Sequence, residues 1–468
     1  MEFYGPNLQS MGGTFLTNNL INEPSPGQIP ALLLHGPKDQ GLLLLSTWNQ
    51  CDYRCYLHPY KFYLFQNKWL ELFPTIVLEE ITIRVLFNGS SSDNPDGSLQ
   101  LIYTELQATT PFISKRRFAF LTTCKQIDQS TWVVAGVPIE ASGNVGYPSG
   151  CQGTAEGLSK VIWVEHFKIK QRSVERKFYN LLGHIGFAFG AERWAACLER
   201  SCESKSYEIQ IDTSAPGLSE GDLYDYENTY MMELGQRMVD AFCQIISPFS
   251  PTIDDLGWSF VSGPPSLKIY ATVRESPFYD DPKEMVIVAA TTLRLRQSPE
   301  FVFEILADER RRHEWDLSGR PKGLTKVGHY ISGNDTRNRI SLYEIDKSSG
   351  HHILQETSFN RSGSLVVWSM VKHRKYDGGL PMCLPLNTLK GFSISSNSLQ
   401  NNINSSSNTD GAGSLVTLGV QLRAISIKPL EELDPKEMPM DSINKYIKET
   451  VRRLVRLLKK VYMRTQLA

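Results

Sequence analysis

Several residues in this chain have the chemistry of a reactive site, and their spacing decides what each implies. Cys151 follows the turn Pro148-Ser149-Gly150, and His166 lies on the next predicted strand. A nucleophilic thiol needs a base in hydrogen-bond reach and a third group that orients that base. The pattern supplies no third group, so a turn cysteine is the plainer reading. Cys51, Cys55 and His58 offer three metal donors but no fourth at regular spacing, which favours unpaired thiols over zinc. No glycine-rich phosphate loop, HExxH helix or GxSxG elbow occurs. The expectation is a protein that is not an enzyme, with no catalytic residue, metal site or cofactor.

The charged stretches point the same way. Arg310, Arg311, Arg312 and His313 sit among Glu304, Asp308, Glu309, Glu314 and Asp316, the pattern of a solvated helix face laced with ion pairs. Near the C-terminus, Lys445, Lys448, Arg452, Arg453, Arg456, Lys459, Lys460 and Arg464 accompany Ile443, Ile447, Val451, Leu454, Leu458 and Val461. Such a helix either lies on an anionic membrane or packs its apolar stripe on a sheet with basic stems along the flanks; packing is favoured. Net charge is −1, which gives no general pull towards nucleic acid. Neither a base-reading basic helix nor a sustained a/d heptad is present, so no direct DNA contact is expected from this chain. The eight cysteines are scattered and read as reduced thiols. The runs Leu32–Leu34 and Leu42–Leu45 are too short to span a bilayer, and no stable membrane insertion is expected.

The elements that would position a site form two similar series. Strand patterns at Leu99–Gln107, Arg117–Lys125, Trp132–Val137 and Lys160–Lys168 are followed by a helix at Phe187–Cys202, whose stripe is Phe187, Ala191, Trp194 and Leu198. An antiparallel meander ending in one apolar-faced helix predicts a curved sheet wrapped around that helix, which encloses a cavity. Tyr226–Ile246 reads as another helix. Further on, Met285–Arg296 is strand-like and Ser298-Pro299 starts a helix. More strands follow, then a polar loop from Ser395 to Gly413 and a long helix at Ser442–Met463. The second series reads as a diverged repeat of the first. On the predicted strand Leu99–Gln107, Leu99, Leu101, Tyr103 and Glu105 share one face by period two. Glu105 is then either a wet strand end or a polar anchor inside the cavity.

The strings CKQIDQSTWVVAGVPIEA, YPSGC, SKVIWVEH and FGAERW…LERSCE closely resemble the START domain of plant class IV homeodomain-leucine zipper transcription factors. FVFEILADERRRHEWD and GSLVTLGVQL resemble the START-associated domain that follows it. The resemblance implies an α+β protein of two helix-grip (START/Bet v 1-like) domains, each a curved antiparallel sheet around a long C-terminal helix, the first incomplete at its N-terminus. The expected division is an atypical segment at 1–60, START at 61–204, a linker at 205–225 and the START-associated domain at 226–468. The implied function is a non-catalytic lipid- or sterol-binding module that modulates transcription in the nucleus, with dimerisation among family members. Without the family context, the localisation reads as cytoplasmic. The alternative is a truncated protein-interaction regulator without a working cavity. The family's DNA-binding parts precede START and are not recognised in this chain. Candidate cavity residues are Tyr103, Glu105, Thr122, Trp132, Trp163, Phe187 and Trp194. Relatives usually carry Arg at the position of Thr122, so the resemblance with this departure implies a neutral ligand. Arg116 is the nearest substitute for that charge.

Overall fold

The computed structural model describes residues 49–53, 69–91, 94–113, 115–128, 131–138, 145–153, 159–163, 166–167, 189–212, 220–247, 259–262, 267–275, 285–317, 324–346, 350–360, 362–376, 379–396, 413–423 and 440–466. All of them fall within one compact unit, Leu44–Ala468. Every strand pairing among them is antiparallel, in two separate sheets.

The first sheet contains β1 (Asn49–Tyr53), β2 (Val77–Phe87), β3 (Ser98–Leu106), β4 (Arg116–Gln126), β5 (Thr131–Pro138), β6 (Val145–Gly153), β7 (Ser159–Trp163) and β8 (His166–Phe167). Its order is β1-β7-β6-β5-β4-β3-β2, with β8 on β6. A single-turn helix, α1 (Trp69–Leu72), precedes β2, and α2 (Ala191–Asp212) closes the series. β1 comes from the stretch read as unpatterned. An edge strand needs only backbone pairing, here Asn49 with Trp163 through Tyr53 with Ser159, so its sequence NQCDY carries no apolar alternation. The helix α2 runs past Cys202 to Asp212, into the expected linker. The segment ESKSYEIQID is polar, but Glu, Lys and Gln sustain a helix and no proline intervenes before Pro216.

The second part contains α3 (Glu220–Ile246), β9 (Ser259–Ser262), β10 (Ile269–Glu275), β11 (Met285–Leu295), α4 (Pro299–Ala307) and α5 (Arg312–Trp315). Next come β12 (Thr325–Ile331), β13 (Arg339–Asp346), β14 (His351–Asn360), β15 (Gly363–Tyr376), β16 (Gly379–Ser396), β17 (Ser414–Arg423) and α6 (Met440–Gln466). Sheet order is β12-β13-β14-β15-β16-β17-β11-β10-β9. Ser298 caps α4 by accepting the Phe301 N–H at 3.2 Å, and Pro299 occupies the first turn, as the sequence predicts.

Both faces of this sheet are buried. On the inner face Ile287, Ala289, Trp368 and Phe392 pack against Phe303 of α4 and Ile443, Ile447, Leu454 and Leu458 of α6. The amphipathic C-terminal helix therefore spends its apolar stripe on the sheet. On the outer face Val286, Val288, Leu354 and Val367 pack against Met238, Phe242, Ile245 and Ile246 of α3. This outer layer explains why β11 reads as a continuous apolar run. Gly391 and Gly419 face each other across β16 and β17. A Cβ at Gly391 would sit 2.7 Å from the Phe242 ring, and one at Gly419 2.4 Å from Ile246 Cγ2. The two glycines are the floor that lets α3 approach.

The arginine run divides by helical phase. Arg310 pairs with Asp308 at 3.0 Å, and Arg311 lies between Asp308 and Glu314. Arg312 departs from the expected solvated face: it is 1% exposed, pairs with Asp316 at 3.0 Å and lies over the rings of Trp315 and Trp368. Positions 312, 315 and 316 share one side of the turn, so Arg312 follows Trp315 into the core. Together these groups fill the grip of the second part.

Candidate functional site

In the first part, the short helix α1 ends at Leu72, two residues before Pro74, and Trp69 and Phe73 at its ends meet the closing helix through their rings. Trp194 is fully buried, edge-on to Trp69 at 5.5 Å and to Phe73 at 4.8 Å between centroids. The sheet face turned towards Trp69 is fixed by the β3–β4 register, which pairs Ile102 with Phe120, Thr104 with Phe118 and Gln100 with Thr122. Between them is a small cavity of about 20 Å³, lined by Trp69, Glu80, Ile102, Thr104, Phe120, Thr122, Val134 and Gly136.

Glu80 is the polar centre of this cavity. Its Oε2 accepts the Trp69 N–H at 3.0 Å, while its Oε1 is buried with no hydrogen-bond partner among the described residues. Burial pushes the carboxyl up to about 7, against the pull of the Trp69 N–H. Near neutrality the group can therefore either donate or accept a hydrogen bond. The Thr104 hydroxyl beside it is committed to Glu79 O at 3.1 Å. No lysine or arginine is among the described lining residues.

Of the seven candidate cavity residues, the structure brings Thr122 to this lining and Trp194 to the aromatic wall behind Trp69. Tyr103 and Glu105 require correction. They alternate with Ile102 and Thr104 and so emerge on the opposite face of the sheet. There Glu105 lies opposite Arg117 and pairs with it at 2.9 Å and with Lys115 at 3.2 Å. It is neither a wet strand end nor a cavity anchor. Trp132 and Trp163 contribute backbone to β5 and β7, opposite Cys151 and Asn49 respectively, and their side chains lie outside the described residues. Phe187 lies outside them altogether, as do Cys55 and His58. Arg116 stands at the far end of β4, opposite Leu106. Glu80 escaped the sequence reading because β2 carries bulges near Val77–Glu79 and Thr82–Arg84, which break the period-two count. The adjacent acids Glu79 and Glu80 at the start of an apolar strand were the available signal.

Cys151 and His166 lie on the paired strands β6 and β8. His166 lies opposite Gly146 on β6, five residues along from Cys151. At about 3.3 Å per residue the two Cα atoms are roughly 17 Å apart.

Residues 66–204 match the START domain, and residues 227–460 match the PDF2-like, C-terminal domain. The chain is 33% identical over 408 residues to homeobox-leucine zipper protein HDG11 of Arabidopsis thaliana, covering 83% of this chain and 55% of that protein. It is 32% identical over 356 residues to homeobox-leucine zipper protein ROC8 of Oryza sativa subsp. japonica, covering 73% of this chain and 48% of that protein. This chain belongs to the plant class IV homeobox-leucine zipper family. It spans about half the length of the curated relatives it matches. Among solved structures, human STARD10 aligns at TM-score 0.25 and 13% identity, over 54% of this chain and 85% of that one. Within the START part, Trp69 joins the cavity lining to Trp194 of the closing helix. No helix among the described residues is long and apolar enough to cross a membrane.

Proposed function

We propose that this chain is the lipid-binding regulatory part of a homeodomain-leucine zipper transcription factor, acting in the nucleus without catalysis, and that its START part takes a neutral lipid such as a sterol. The observation that carries the reading is the cavity face itself. Apolar Ile102, Phe120 and Val134 surround one buried carboxyl, Glu80, whose second oxygen has no hydrogen-bond partner among the described residues, and one threonine, Thr122. Pockets of this composition orient a mostly apolar ligand through a few polar groups. A carboxyl near its own midpoint suits a hydroxyl or carbonyl, and repels a carboxylate or phosphate as it ionises. Trp132, Trp163 and Phe187 are proposed as further ligand contacts on the family resemblance alone. DNA selection then belongs to other segments of the family's proteins, and so does dimerisation.

The test is displacement of a labelled sterol by unlabelled sterol, fatty acid and phospholipid, on the wild-type chain and on Thr122→Arg. Wild type should prefer the sterol, and the arginine variant should gain affinity for the anionic lipids. If neither protein binds any lipid, or the variant gains nothing, the reading fails.

A second reading has its own support. The described lining leaves about 20 Å³, against roughly 300 Å³ or more for a typical ligand pocket. A module with a packed interior would act through protein contacts alone. Mass spectrometry of lipids extracted from the purified chain separates the two, since the second reading predicts none in stoichiometric amount.

A further inference from the structure

A larger cavity, about 80 Å³, lies outside the START grip, where α2 crosses the outer face of the second sheet. That face changes character along its strands. Under α3 it is apolar, up to the Gly391–Gly419 pair. Two residues further on, Ser393 stands opposite Thr417, and both are buried. Ser358 of β14 continues the hydroxyl floor.

The roof is cationic. Arg193 is 5% exposed and donates to Gln107 O at 3.3 Å and to Thr75 O. About two turns along α2, Arg200 donates from Nε to Ser358 Oγ at 3.2 Å, and its Nη2 stands 3.8 Å from Glu356 Oε1. Burial lowers both guanidinium pKa values, that of Arg193 to about 10. The ionisable groups bearing on Arg193 include the thiols of Cys197 and Cys243. Those bearing on Arg200 include Glu356, Glu203 and Asp335. Burial pushes Glu356 up to about 7, opposed by Arg200 and assisted by Asp240 on α3. Its Oε2 has no hydrogen-bond partner among the described residues. In its protonated form that oxygen is a donor, so two guanidinium groups, one carboxylic acid and a set of hydroxyls converge on one polar space.

We propose that this cleft is a binding site for a phosphate-class oxyanion, held by Arg193 and Arg200 from the START helix and by Glu356, Ser358, Ser393 and Thr417 of the second sheet. Guanidinium forks and hydroxyls are the donors that recognise tetrahedral oxyanions. The volume accommodates one such group or a few waters, and no acyl chain. The anion bridges the two parts of the chain, so its binding stabilises their docking. Binding selects protonated Glu356 and is tighter below neutrality than above it. The chemistry is the same for free phosphate and for a phospholipid headgroup that reaches in from the surface.

The experiment uses the full chain. Thermal unfolding and calorimetric titration are run with sodium sulfate, which does not titrate in this range, against sodium chloride at equal ionic strength, at about pH 6 and about pH 8 on either side of the Glu356 midpoint. Sulfate should bind saturably, raise the midpoint by roughly 2 °C or more and bind more tightly at the lower pH. Arg193→Gln should weaken it about tenfold or more. Ser393→Ala, a milder change that keeps the fold, should weaken it severalfold. Glu356→Gln, which mimics the protonated acid, should bind equally at both pH values. Parallel arms use inorganic phosphate and vesicles of phosphatidylcholine with phosphatidic acid. Binding of the free ion, or binding of vesicles alone that is lost in Ser393→Ala, supports the site and names its source. If sulfate, phosphate and vesicles act no differently from chloride, or if Ser393→Ala and Glu356→Gln both behave as wild type, the cleft holds only water and the proposal is overturned.

Discussion

Arg200 and Ser332 join the two halves of the molecule: the guanidinium Nη2 of Arg200 stands 2.6 Å from Ser332 Oγ. Arg200 belongs to α2, the helix that closes the START grip, and Ser332 directly follows β12 of the second sheet. Trp194, which walls the START interior, is six residues earlier on the same helix, or about 9 Å along its axis. One helix thus touches Trp69 of the cavity lining at one point and the second part at another. Thr110 and Thr292 add a second join, with hydroxyls 2.9 Å apart, and Thr292 passes the chain on to Thr417 at 2.9 Å.

Removing the clamp should therefore cost more than a surface arginine would. Arg200→Ala deletes the bonds to Ser332 and Ser358 and leaves Glu356 without its cationic neighbour. The expected loss is about 2–4 kcal/mol. Denaturant unfolding should separate into two transitions where wild type shows one. An unchanged midpoint with a single transition would show that the clamp contributes nothing.

The glycine floor under α3 gives a second expectation. Gly419→Ala places a methyl 2.4 Å from Ile246 Cγ2 and 2.9 Å from Phe242 Cε2. Overpacking of this kind costs about 1–3 kcal/mol. The damage should be local, with faster amide exchange in α3 and β16 than in α4 or α6. Protection lost evenly over the whole chain would count against this account.

Three acids, Glu356 buried and Glu80 and Asp240 partly so, set the pH dependence of stability. Glu80 and Glu356 are raised from the usual 4.5 to about 7, and Asp240 from 3.8 to about 7, in each case chiefly by burial. Between the lower and upper values the folded chain keeps protons that the unfolded chain has released. Stability from these groups therefore falls as pH rises through that window, and is level below and above it. The lowered carboxyls Asp308, Asp335 and Glu449 act in the opposite sense, and only at lower pH. Glu80→Gln should gain on wild type by more than about 1 kcal/mol between about pH 5 and about pH 7.5. Parallel stability curves for the two proteins would exclude the ionisation of Glu80 as a cause.

The fold was largely legible because apolar periodicity marks any strand or helix with one buried face. The Ser298-Pro299 start of α4, the α6 stripe and the α2 stripe through Ala191, Trp194 and Leu198 all read correctly for that reason. Residues 49–53 did not, because an edge strand is held by backbone bonds. The outer position of α3 did not either, since Val286 and Val288 look the same whichever helix covers them. At the site the obstacle was parity. Thr122 lines the cavity, but Glu105 was assigned to its face when the continuous β3–β4 register puts the two on opposite sides, and the bulges in β2 hid Glu80.

That difference in parity can be measured. Glu80, half-buried, and Glu105, buried, are acids of the first sheet on neighbouring strands and opposite faces. Glu105 is held by Arg117 and Lys115, so Glu105→Gln removes two ion pairs, one of them to a half-exposed arginine. The cost should be modest, about 1 kcal/mol, with lipid affinity unchanged. Glu80→Gln keeps the shape of the cavity face and still accepts the Trp69 N–H, but it cannot ionise. It should hold a neutral lipid at least as well as wild type, and above neutrality it should retain affinity that wild type loses. Fluorescent sterol binding at about pH 6 and about pH 8, either side of the Glu80 midpoint, decides between the two acids. A pH-dependent affinity that survives Glu80→Gln and disappears in Glu105→Gln would return the polar anchor to Glu105.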